Sequence, residues 1–538
     1  MTLPSLSSKS LNFPAHFIAA LLLIFFFVLN FLHMRHQSDT YDEEHHYRYA
    51  MKLLKNDPAR VDPFDESKLP FSYFNALPRR VTEWLQWDPA VSITARFLRK
   101  SSVARLVTTL FSLVLGFYVY RWSSRLYGPA AGVFSLFLYV FSPNILAHSH
   151  LITSDLYAAL MITLSLYTFW KFLNEGGWKR ALVSAVMLGL CQLSKYTGLL
   201  LYPVFLLIAL ARAVAGGWRP GYFISFCKWT LFFGLVSVLV INAGFFFNGT
   251  LLPWGDFHFK SSLLASLQSA SQALGMIRVP VPHAYLDGLD QVLHRERTGE
   301  YTWSVYLLGK LAEEGHGFPG YFFYAYFFKE TIAAQIFLCW AAGVYLRRRK
   351  EFQFMKNEAF LVMPVLLFLI YFNFFFNTQT GVRFMLMIFP LLYVFCGSLF
   401  KEFGPMSRKR AAVIVCLTGY LMISTLSYYP HFLSYFNEWV WDRKKAYKIL
   451  ADSNIDWHQS RLYLKKYKKE HPEAVFGPAN RVSGTIVVSA NSLVGVNNDD
   501  ALAWLRENFE PKDHIAYTYL VYEVSPDDLE RIRKGKNV

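Results

Sequence analysis

The sequence predicts an α-helical, polytopic membrane protein with a small α/β domain at its C-terminal end. Of the 538 residues, 54% are hydrophobic and 18% are aromatic. Several uninterrupted apolar runs approach the roughly 20 residues that an α-helix needs to cross a bilayer. Basic residues concentrate in the short polar segments between these runs, which is typical of a membrane topology signal.

The apolar runs bounded by charged residues predict about eleven transmembrane helices. The first run has almost no charge before it and no small-residue cleavage site after it, so we interpret it as a retained helix and not as a signal peptide. The predicted spans lie near 15–32, 103–120, 129–146, 155–172, 181–193, 196–212, 222–246, 321–345, 359–377, 383–400 and 411–428.

The charge balance is basic, with 54 lysine and arginine residues against 38 acidic residues. In a soluble protein this excess would raise the question of nucleic acid, but here the basic loops all fall on one side of the membrane. We therefore expect no nucleic-acid partner. With a cytoplasmic N-terminus, the long polar segments and the tail fall on the opposite, extracytoplasmic side.

Two domains follow from this organisation. Residues 1–430 form the transmembrane domain, including the outer loops 33–102 and 247–320, and the first of these loops bears short helix patterns between Pro-containing turns. The tail, 431–538, is more charged and has no apolar span. It predicts a small outer α/β domain, with helix patterns at 457–470 and 499–509 and strand patterns at 485–489 and 515–524.

Two acidic residues, Asp42 and Glu43, follow directly on the first predicted helix. A carboxylate at a membrane boundary is suited to accept a proton from a hydroxyl group, as an inverting glycosyl transfer requires. The alternative is a solvated helix start, where acidic residues only favour the helix dipole.

A second acid, Asp155, stands at the mouth of another span, behind His148 and His150. Its alternative role is that of a helix-capping partner to Thr153 and Ser154.

Cations lie on the same predicted face. Lys329 is inside the span that begins near 321, and Arg383 is at the entrance of another span. A cation within hydrocarbon is costly and usually has a partner or a function, so both are candidates to bind a lipid phosphate. Lys329 could instead pair with Glu330 or extend toward water. Lys68 and Lys195 could join the same pocket or serve as interface anchors, and for Lys195 we favour the anchor.

The fifteen histidines raise the question of a metal site. His45, His46, His148 and His150 share the predicted outer face, but no HExxH-type spacing occurs on a single helix. We therefore expect no metal and no other cofactor, although a divalent metal is an alternative that the sequence leaves open.

A series of motifs resembles the bacterial branch of the protein O-mannosyltransferase-like glycosyltransferases, the glycosyltransferase family 39-like group of membrane transferases with the GT-C fold. The similarity covers essentially the whole chain, and its most specific part is the SNIDW-type signature. In chain order the motifs are DEEHH, SPNILAHSHLITSD, LSKYTGLLLYPV, GYFFYAYFFKET, TGVRFMLMIFP, YPHFLSYFNE, LADSNIDWHQS, WLRENFEP and HIAYTYLVYEVS.

The resemblance implies a GT-C catalytic domain over residues 1–430 that transfers one sugar from a polyprenyl-phosphate carrier to an acceptor on the outer face. It assigns the general base to Asp42, with Glu43 and His46 completing the motif, and gives Asp155 an orienting role. It implies that Lys329 and Arg383 hold the lipid phosphate, and we include Lys68 as a further candidate for the same site because of its position.

The sequence departs from the family pattern in two places. The element that usually follows the first acidic motif reads ESKLP here, which leaves the alignment of Lys68 open. The usual Asp-Trp-Gly-Gln becomes Asp456-Trp457-His458-Gln459, although histidine does not freely adopt glycine-only backbone conformations. The sequence assigns no chemical role to Asp452, Asn454 or Asp456, which could instead brace the outer domain.

We therefore expect an inverting glycosyltransferase of a bacterial cell membrane, with its active site on the extracytoplasmic face. Its partners would be a polyprenyl-phosphate-linked sugar, membrane lipids and a glycan, lipid or protein acceptor. The alternatives are a lipid or polysaccharide transporter and a catalytically silent binding member of the family. The sequence leaves the sugar and the acceptor open.

Overall fold

The computed structural model describes residues 8–59, 65, 68–217, 220–271, 273, 275–300, 304–401, 407–497 and 499–534. Residues 66 and 67 of the ESKLP element lie outside this set. Within the described part, the chain is mostly helical with a small sheet near its C-terminal end, and the predicted fold class is confirmed.

The N-terminal half of the chain is a helix bundle with short helices inserted between the long ones. Its helices are α1 (Ser8–Met34), α2 (Tyr41–Leu53), α3 (Tyr73–Trp84), α4 (Ile93–Leu98), α5 (Ser101–Tyr127), α6 (Pro129–Val140), α7 (Pro143–His148), α8 (Ser154–Glu175), α9 (Trp178–Gln192), α10 (Leu201–Ala215), α11 (Pro220–Gly244), α12 (Ser262–Ala270) and α13 (His283–Thr298).

The second half begins with a short hairpin and continues the bundle before the sheet. Its elements are β1 (Tyr306–Leu307), β2 (Lys310–Leu311), α14 (Tyr321–Lys329), α15 (Ile332–Arg347), α16 (Ala359–Phe374), α17 (Ile388–Cys396), α18 (Arg408–Leu426), α19 (Arg461–Glu470), β3 (Val475–Phe476), β4 (Gly484–Ser489), α20 (Ala490–Val494), α21 (Ala503–Asn508), β5 (Asp513–Ile515), β6 (Tyr519–Val524) and α22 (Pro526–Arg533).

Among the described residues, six helices are long and apolar enough to cross a bilayer, and the bent pair α14–α15 would make a seventh. The protein is a multi-pass membrane protein. Four predicted spans, at 129–146, 181–193, 359–377 and 383–400, correspond to shorter helices, so the number of eleven stays a prediction. The spans around α8 pack through apolar and aromatic side chains, including a stacked Phe169–Phe205 pair with centroids 3.8 Å apart.

The predicted span at 321–345 is not one straight helix. α14 and α15 meet at an angle of 113°. Glu330 interrupts the helix with an extended backbone (φ −97°, ψ 147°), and the Thr331 hydroxyl accepts the backbone N–H of Ala334 to start α15. Thr331 is an N-cap residue, and the break therefore has a local cause that hydropathy does not reveal.

The C-terminal sheet has the strand order β3-β4-β6-β5, with β3 parallel to β4 and the other pairs antiparallel. Alternate residues of β4 face opposite sides, so Ile486 and Val488 join the main core while Val487 packs against the α19 side. The predicted strand at 515–524 is interrupted, because Ala516 and Tyr517 have positive φ angles (53° and 60°) and form the turn between β5 and β6.

Candidate active site

A cavity of about 600 Å³ lies where the first loop, the ends of several helices and the C-terminal segment meet. Its lining combines apolar residues with a cluster of charged residues. The apolar residues include Leu199, Leu200, Leu289, Val292, Leu293, Phe372 and Phe376, and the charged residues include Asp42, Lys68, Asp155, Lys195, Arg295, Glu296, Arg383, Asp452 and Asp456.

Helix α2 brings Asp42 and His46 to the cavity. The two residues are four positions apart, and this spacing puts both side chains on the same helix face. The backbone N–H of Tyr41 donates to the carbonyl of Trp457 at 3.2 Å, which fixes the start of α2 against the C-terminal segment. Both residues line the cavity.

Arg383 comes from the turn between α16 and α17. Its Nη1 donates to Asp42 Oδ2 at 2.8 Å and lies 3.6 Å from Asp155 Oδ2. The guanidinium carbon lies 4.0 Å from the ring centre of Trp457, a cation–π contact that holds the side chain in place. One cation therefore contacts two carboxylates from separate helices.

The turn that carries Arg383 is fastened to the SNIDW segment. Ser453 Oγ donates to the carbonyl of Thr380 at 2.7 Å, and the backbone N–H of Val382 donates to Asn454 Oδ1 at 3.0 Å. A Cβ atom on Gly381 would lie 2.2 Å from Ser453 Oγ, so this close approach requires glycine. The SNIDW segment thus braces the turn that carries Arg383.

Lys195 joins the same charge network. Its Nζ donates to Asp155 Oδ1 at 2.6 Å and lies 4.4 Å from the ring centre of Phe384. The interface-anchor interpretation of Lys195 does not describe this environment, because the side chain is largely buried and lines the cavity. The sequence signal for this role is the position of Lys195, a charged residue between two short apolar runs.

The positive charges around Asp42 change its proton affinity. Burial alone would favour the neutral acid, but the Lys68 and Arg383 charges outweigh it and lower the pKa of Asp42 below its usual range. Burial lowers the pKa of Lys68, and the Asp42 carboxylate opposes that change. Arg383 is held in its charged form because Asp42 and Asp155 raise its pKa against the effect of burial.

The SNIDWHQ segment contributes residues to which the sequence assigned no role. Asp452, Asp456, Trp457 and His458 line the cavity. Burial raises the pKa of Asp452 to about 7 and that of Asp456 to about 6. His458 has a φ of 70°, the left-handed conformation that glycine favours, so the histidine occupies a glycine-like backbone position.

Glu43 is not brought to the cavity. Arg105 Nε donates to Glu43 Oε1 at 2.8 Å, and the backbone N–H groups of Ile152 and Thr40 donate to the same carboxylate at 3.0 Å and 2.7 Å. Glu43 is buried. The expectation of a catalytic role does not fit this environment, because the carboxylate is occupied by structural hydrogen bonds. The pattern Thr40-x-x-Glu43 matches a capping box, which was the sequence signal for this outcome.

Lys329 is also separate from the cavity. Its Nζ donates to the backbone carbonyls of Leu433 and Asn454 at 2.7 Å and 2.6 Å, and it lies 4.7 Å from the ring centre of Phe436. The side chain is buried. This environment holds the α14–α15 break against the C-terminal segment, and the expected contact with a lipid phosphate does not fit it.

His148 and His150 are buried next to the cavity but do not line it. The His148 ring packs on Trp457 with centroids 6.0 Å apart, and the His150 ring packs on His33 with centroids 4.5 Å apart. Burial lowers the pKa of His148 to about 4. The described residues contain no group of three or more histidine, cysteine or acidic side chains arranged to hold a metal ion.

Fold and site together define a multi-pass membrane protein with a charged cavity at one end of its helix bundle. The sequence model of the family described as dolichyl-phosphate-mannose-protein mannosyltransferase matches residues 83–241. The predicted resemblance to membrane glycosyltransferases of the protein O-mannosyltransferase-like group is thereby confirmed for this segment. The matched segment includes Asp155 and Lys195, whereas Asp42 and Arg383 lie outside it.

Several solved structures are similar to the chain. The oligosaccharyltransferase AglB of Archaeoglobus fulgidus, in complex with an inhibitory peptide and a dolichol-phosphate, is 14% identical with a TM-score of 0.44, over 84% of this chain and 59% of that one. The apo form of the Archaeoglobus fulgidus enzyme is 13% identical with a TM-score of 0.47, over the same shares of 84% and 59%. The chain thus spans about 59% of the length of this archaeal enzyme.

ArnT of Cupriavidus metallidurans, bound to undecaprenyl phosphate, is 12% identical with a TM-score of 0.28, over 93% of this chain and 97% of that one. No curated protein gives a significant match to the chain.

Proposed function

We propose that the protein is an inverting glycosyltransferase that moves one sugar from a polyprenyl-phosphate carrier to an acceptor hydroxyl, with Asp42 as the general base. The observation that carries the proposal is the Asp42–Arg383 pair in a cavity whose lining combines apolar and charged residues. The resemblance of residues 83–241 to membrane mannosyltransferases supports the same reaction class.

The cavity is suited to a lipid that ends in a phosphate. Its apolar lining residues, which include Leu199, Leu293 and Phe376, would take the first part of the polyprenyl chain. Arg383 and Lys68 would take the phosphate, since Lys68 is buried, Arg383 is partly buried, and both cations act on Asp42. Guanidinium and ammonium groups form strong charge-assisted hydrogen bonds to phosphate oxygens.

The chemistry then needs one proton acceptor and one stabilised leaving group. The acceptor oxygen forms a bond to the anomeric carbon from the face opposite the phosphate, and the bond between that carbon and the phosphate oxygen breaks. The electron pair stays on the phosphate, which leaves as an anion next to Arg383 and Lys68. The hydroxyl proton moves to Asp42, which later returns it to water.

The carrier phosphate and Asp42 compete for Arg383. While Asp42 is paired, its pKa is held low and the carboxylate is a weak base. A phosphate that takes the hydrogen bond of Arg383 removes part of this effect, so the pKa of Asp42 rises and proton transfer becomes more favourable. Donor binding would therefore activate the base.

Asp155 has a supporting role in this proposal. It lies within 3.6 Å of Arg383 Nη1 and accepts a hydrogen bond from Lys195. These contacts fix the direction of the guanidinium and balance its charge. Asp155 is therefore proposed as a positioning residue that keeps Arg383 aimed at the phosphate.

We assign the cavity to the extracytoplasmic face. Helix α8 starts beside Asp155 in the cavity and ends at Glu175, near the basic residues Lys171, Lys179 and Arg180. At 1.5 Å per residue this helix is about 33 Å long, enough to cross the hydrocarbon core. The positive-inside rule puts the basic end in the cytoplasm.

The proposal is tested with purified protein reconstituted in liposomes and a panel of radiolabelled polyprenyl-phosphate hexoses and pentoses, with envelope extract as the acceptor. Asp42→Asn should lower the rate of label transfer by about 100-fold or more, because general-base catalysis contributes that much. Asp39→Asn is the matched control, since Asp39 is exposed and does not line the cavity. Unchanged transfer by Asp42→Asn would refute the proposed base.

A further inference from the structure

The cavity has a second polar surface, which the transfer chemistry above does not use. It is formed by the turn 452–458 and by the start of α20 in the C-terminal segment. We call it the polar wall, and its residues are Asp452, Asp456, His458, Ser489, Asn491 and Ser492. The wall contains carboxyl, imidazole, hydroxyl and amide groups but no lysine or arginine.

The two halves of the polar wall are held at a fixed spacing by Asn491. Its Oδ1 accepts the backbone N–H of Asp452 at 2.7 Å, and its Nδ2 donates to the carbonyl of Asp456 at 2.9 Å. The hydroxyl groups of Ser489 and Ser492 lie 3.0 Å apart at the start of α20. The arrangement is therefore built before any ligand binds, and this lowers the entropic cost of recognition.

Asp456 is the central member of the wall. It is buried, and its Oδ1 accepts the backbone N–H of His458 at 3.0 Å. Within the described part of the chain it forms no ion pair, although a buried carboxyl group normally has a strong partner. A carboxylate that faces a cavity without a cationic partner can accept hydrogen bonds from a polyol, and it donates one only when it is protonated.

The wall also lies next to the phosphate-binding residues. Trp457, between Asp456 and His458 in the chain, packs on the Arg383 guanidinium at 4.0 Å. In a polyprenyl-phosphate sugar, the sugar ring is attached directly to the phosphate. A phosphate on Arg383 therefore places its sugar within reach of the wall, whose polar groups suit the sugar and not the lipid tail.

Building on the proposed function, we propose that the polar wall binds the hydroxyl groups of the transferred sugar, and that it selects sugars without a carboxylate. Serine hydroxyls and carboxyl groups match the donors and acceptors of a sugar ring. The negative charge of a uronic acid would meet Asp452 and Asp456, and this costs affinity because Arg461, which contacts His458 at 2.7 Å, does not line the cavity. A neutral or amino sugar meets no such penalty.

The test compares binding of bare polyprenyl phosphate with binding of the same carrier bearing a neutral hexose, in detergent-solubilised full-length protein. Asp456→Asn keeps the oxygen that accepts the His458 N–H, so the backbone turn is preserved. It should weaken binding of the hexose-bearing carrier by about tenfold, which corresponds to one good hydrogen bond to a charged group. The affinity for the bare carrier should stay unchanged.

Asp442→Asn is the matched control, because Asp442 also accepts a backbone N–H two residues ahead, from Lys444 at 3.2 Å, and does not line the cavity. It should change neither affinity. A carrier bearing a uronic acid should bind wild-type protein more weakly than the hexose carrier.

Three results would overturn the inference while leaving the proposed function intact. In the first, Asp456→Asn loses affinity for both carriers equally, and in the second it loses affinity for neither. In the third, wild-type protein binds the hexose and the uronic acid carriers with equal affinity. If wild-type protein binds neither the bare nor the sugar-bearing carrier, the proposed function fails and the inference fails with it.

Discussion

Arg383 Nη1 lies 2.8 Å from Asp42 Oδ2 and 3.6 Å from Asp155 Oδ2, so a single guanidinium joins two carboxylates that are 113 positions apart in the chain. Like charges so close to each other need a cation between them, and Arg383 supplies it. The same cation is the best candidate for the carrier phosphate. Charge balance at this point therefore links donor binding to the state of the proposed base.

Glu43 should contribute to stability and not to catalysis. Replacing it with glutamine leaves the buried Arg105 with only the exposed Asp39 as a carboxylate partner, and breaking a buried pair costs about 3–5 kcal/mol. We expect Glu43→Gln to lower the melting temperature by several degrees in a thermal unfolding assay, with unchanged affinity of the folded fraction for polyprenyl phosphate.

Glu44→Gln is the matched control, since Glu44 is the next residue and is exposed. It should leave the melting temperature unchanged. If Glu43→Gln lost turnover while its melting temperature stayed unchanged, Glu43 would instead have a catalytic role.

Asp155 and Lys195 should behave as a coupled pair. Lys195→Met removes the partner of a buried carboxylate, and Asp155→Asn removes the carboxylate itself. A double-mutant cycle on the free energy of unfolding should give a coupling energy of about 1–3 kcal/mol. Additive effects within about 0.5 kcal/mol would show that the two side chains are energetically independent.

Donor affinity should depend on pH through Asp452. Its pKa is raised to about 7 by burial, so the side chain is neutral below that pH and negative above it. The negative charge would repel the phosphate near Arg383, and Kd should therefore increase as pH rises through about 7. An interaction of about 1 kcal/mol corresponds to about a fivefold change in Kd.

The ligand for this measurement is the sugar-bearing phosphodiester, which does not itself titrate near neutral pH. Isothermal calorimetry between about pH 5.5 and 8.5 gives the profile, a range that brackets the expected midpoint. Asp452→Asn should remove the transition near pH 7 and leave any transition near pH 6, where Asp456 titrates. A transition near pH 7 that persists in this variant would mean that another group is responsible.

Much of this site could be predicted from the sequence, because its charges interrupt apolar runs. Asp155 and Arg383 each stand at the edge of a predicted span, where a charge is costly unless it has a partner, and Asp42 belongs to the acidic motif after the first span. The same rule predicts a phosphate contact for Lys329, which does not fit its environment. Hydropathy does not reveal that its ammonium group donates to the backbone carbonyls of Leu433 and Asn454.

Other features needed three-dimensional information. Asp42 and Glu43 are consecutive in a helix and therefore point in directions about 100° apart, so only one of them could face the cavity. Asp456 and His458 reach the cavity through tertiary contacts with the first loop, including the Tyr41–Trp457 hydrogen bond. Helix periodicity carries no information about such long-range pairing.

The competition between Asp42 and the carrier phosphate for Arg383 is the central claim, and one measurement tests it most directly. That measurement is the affinity of bare polyprenyl phosphate for wild-type protein, Asp42→Asn and Arg383→Gln. We predict that Asp42→Asn binds about tenfold more tightly than wild type, equal to about 1.4 kcal/mol, and that Arg383→Gln binds more weakly. Equal or weaker binding by Asp42→Asn would contradict the account.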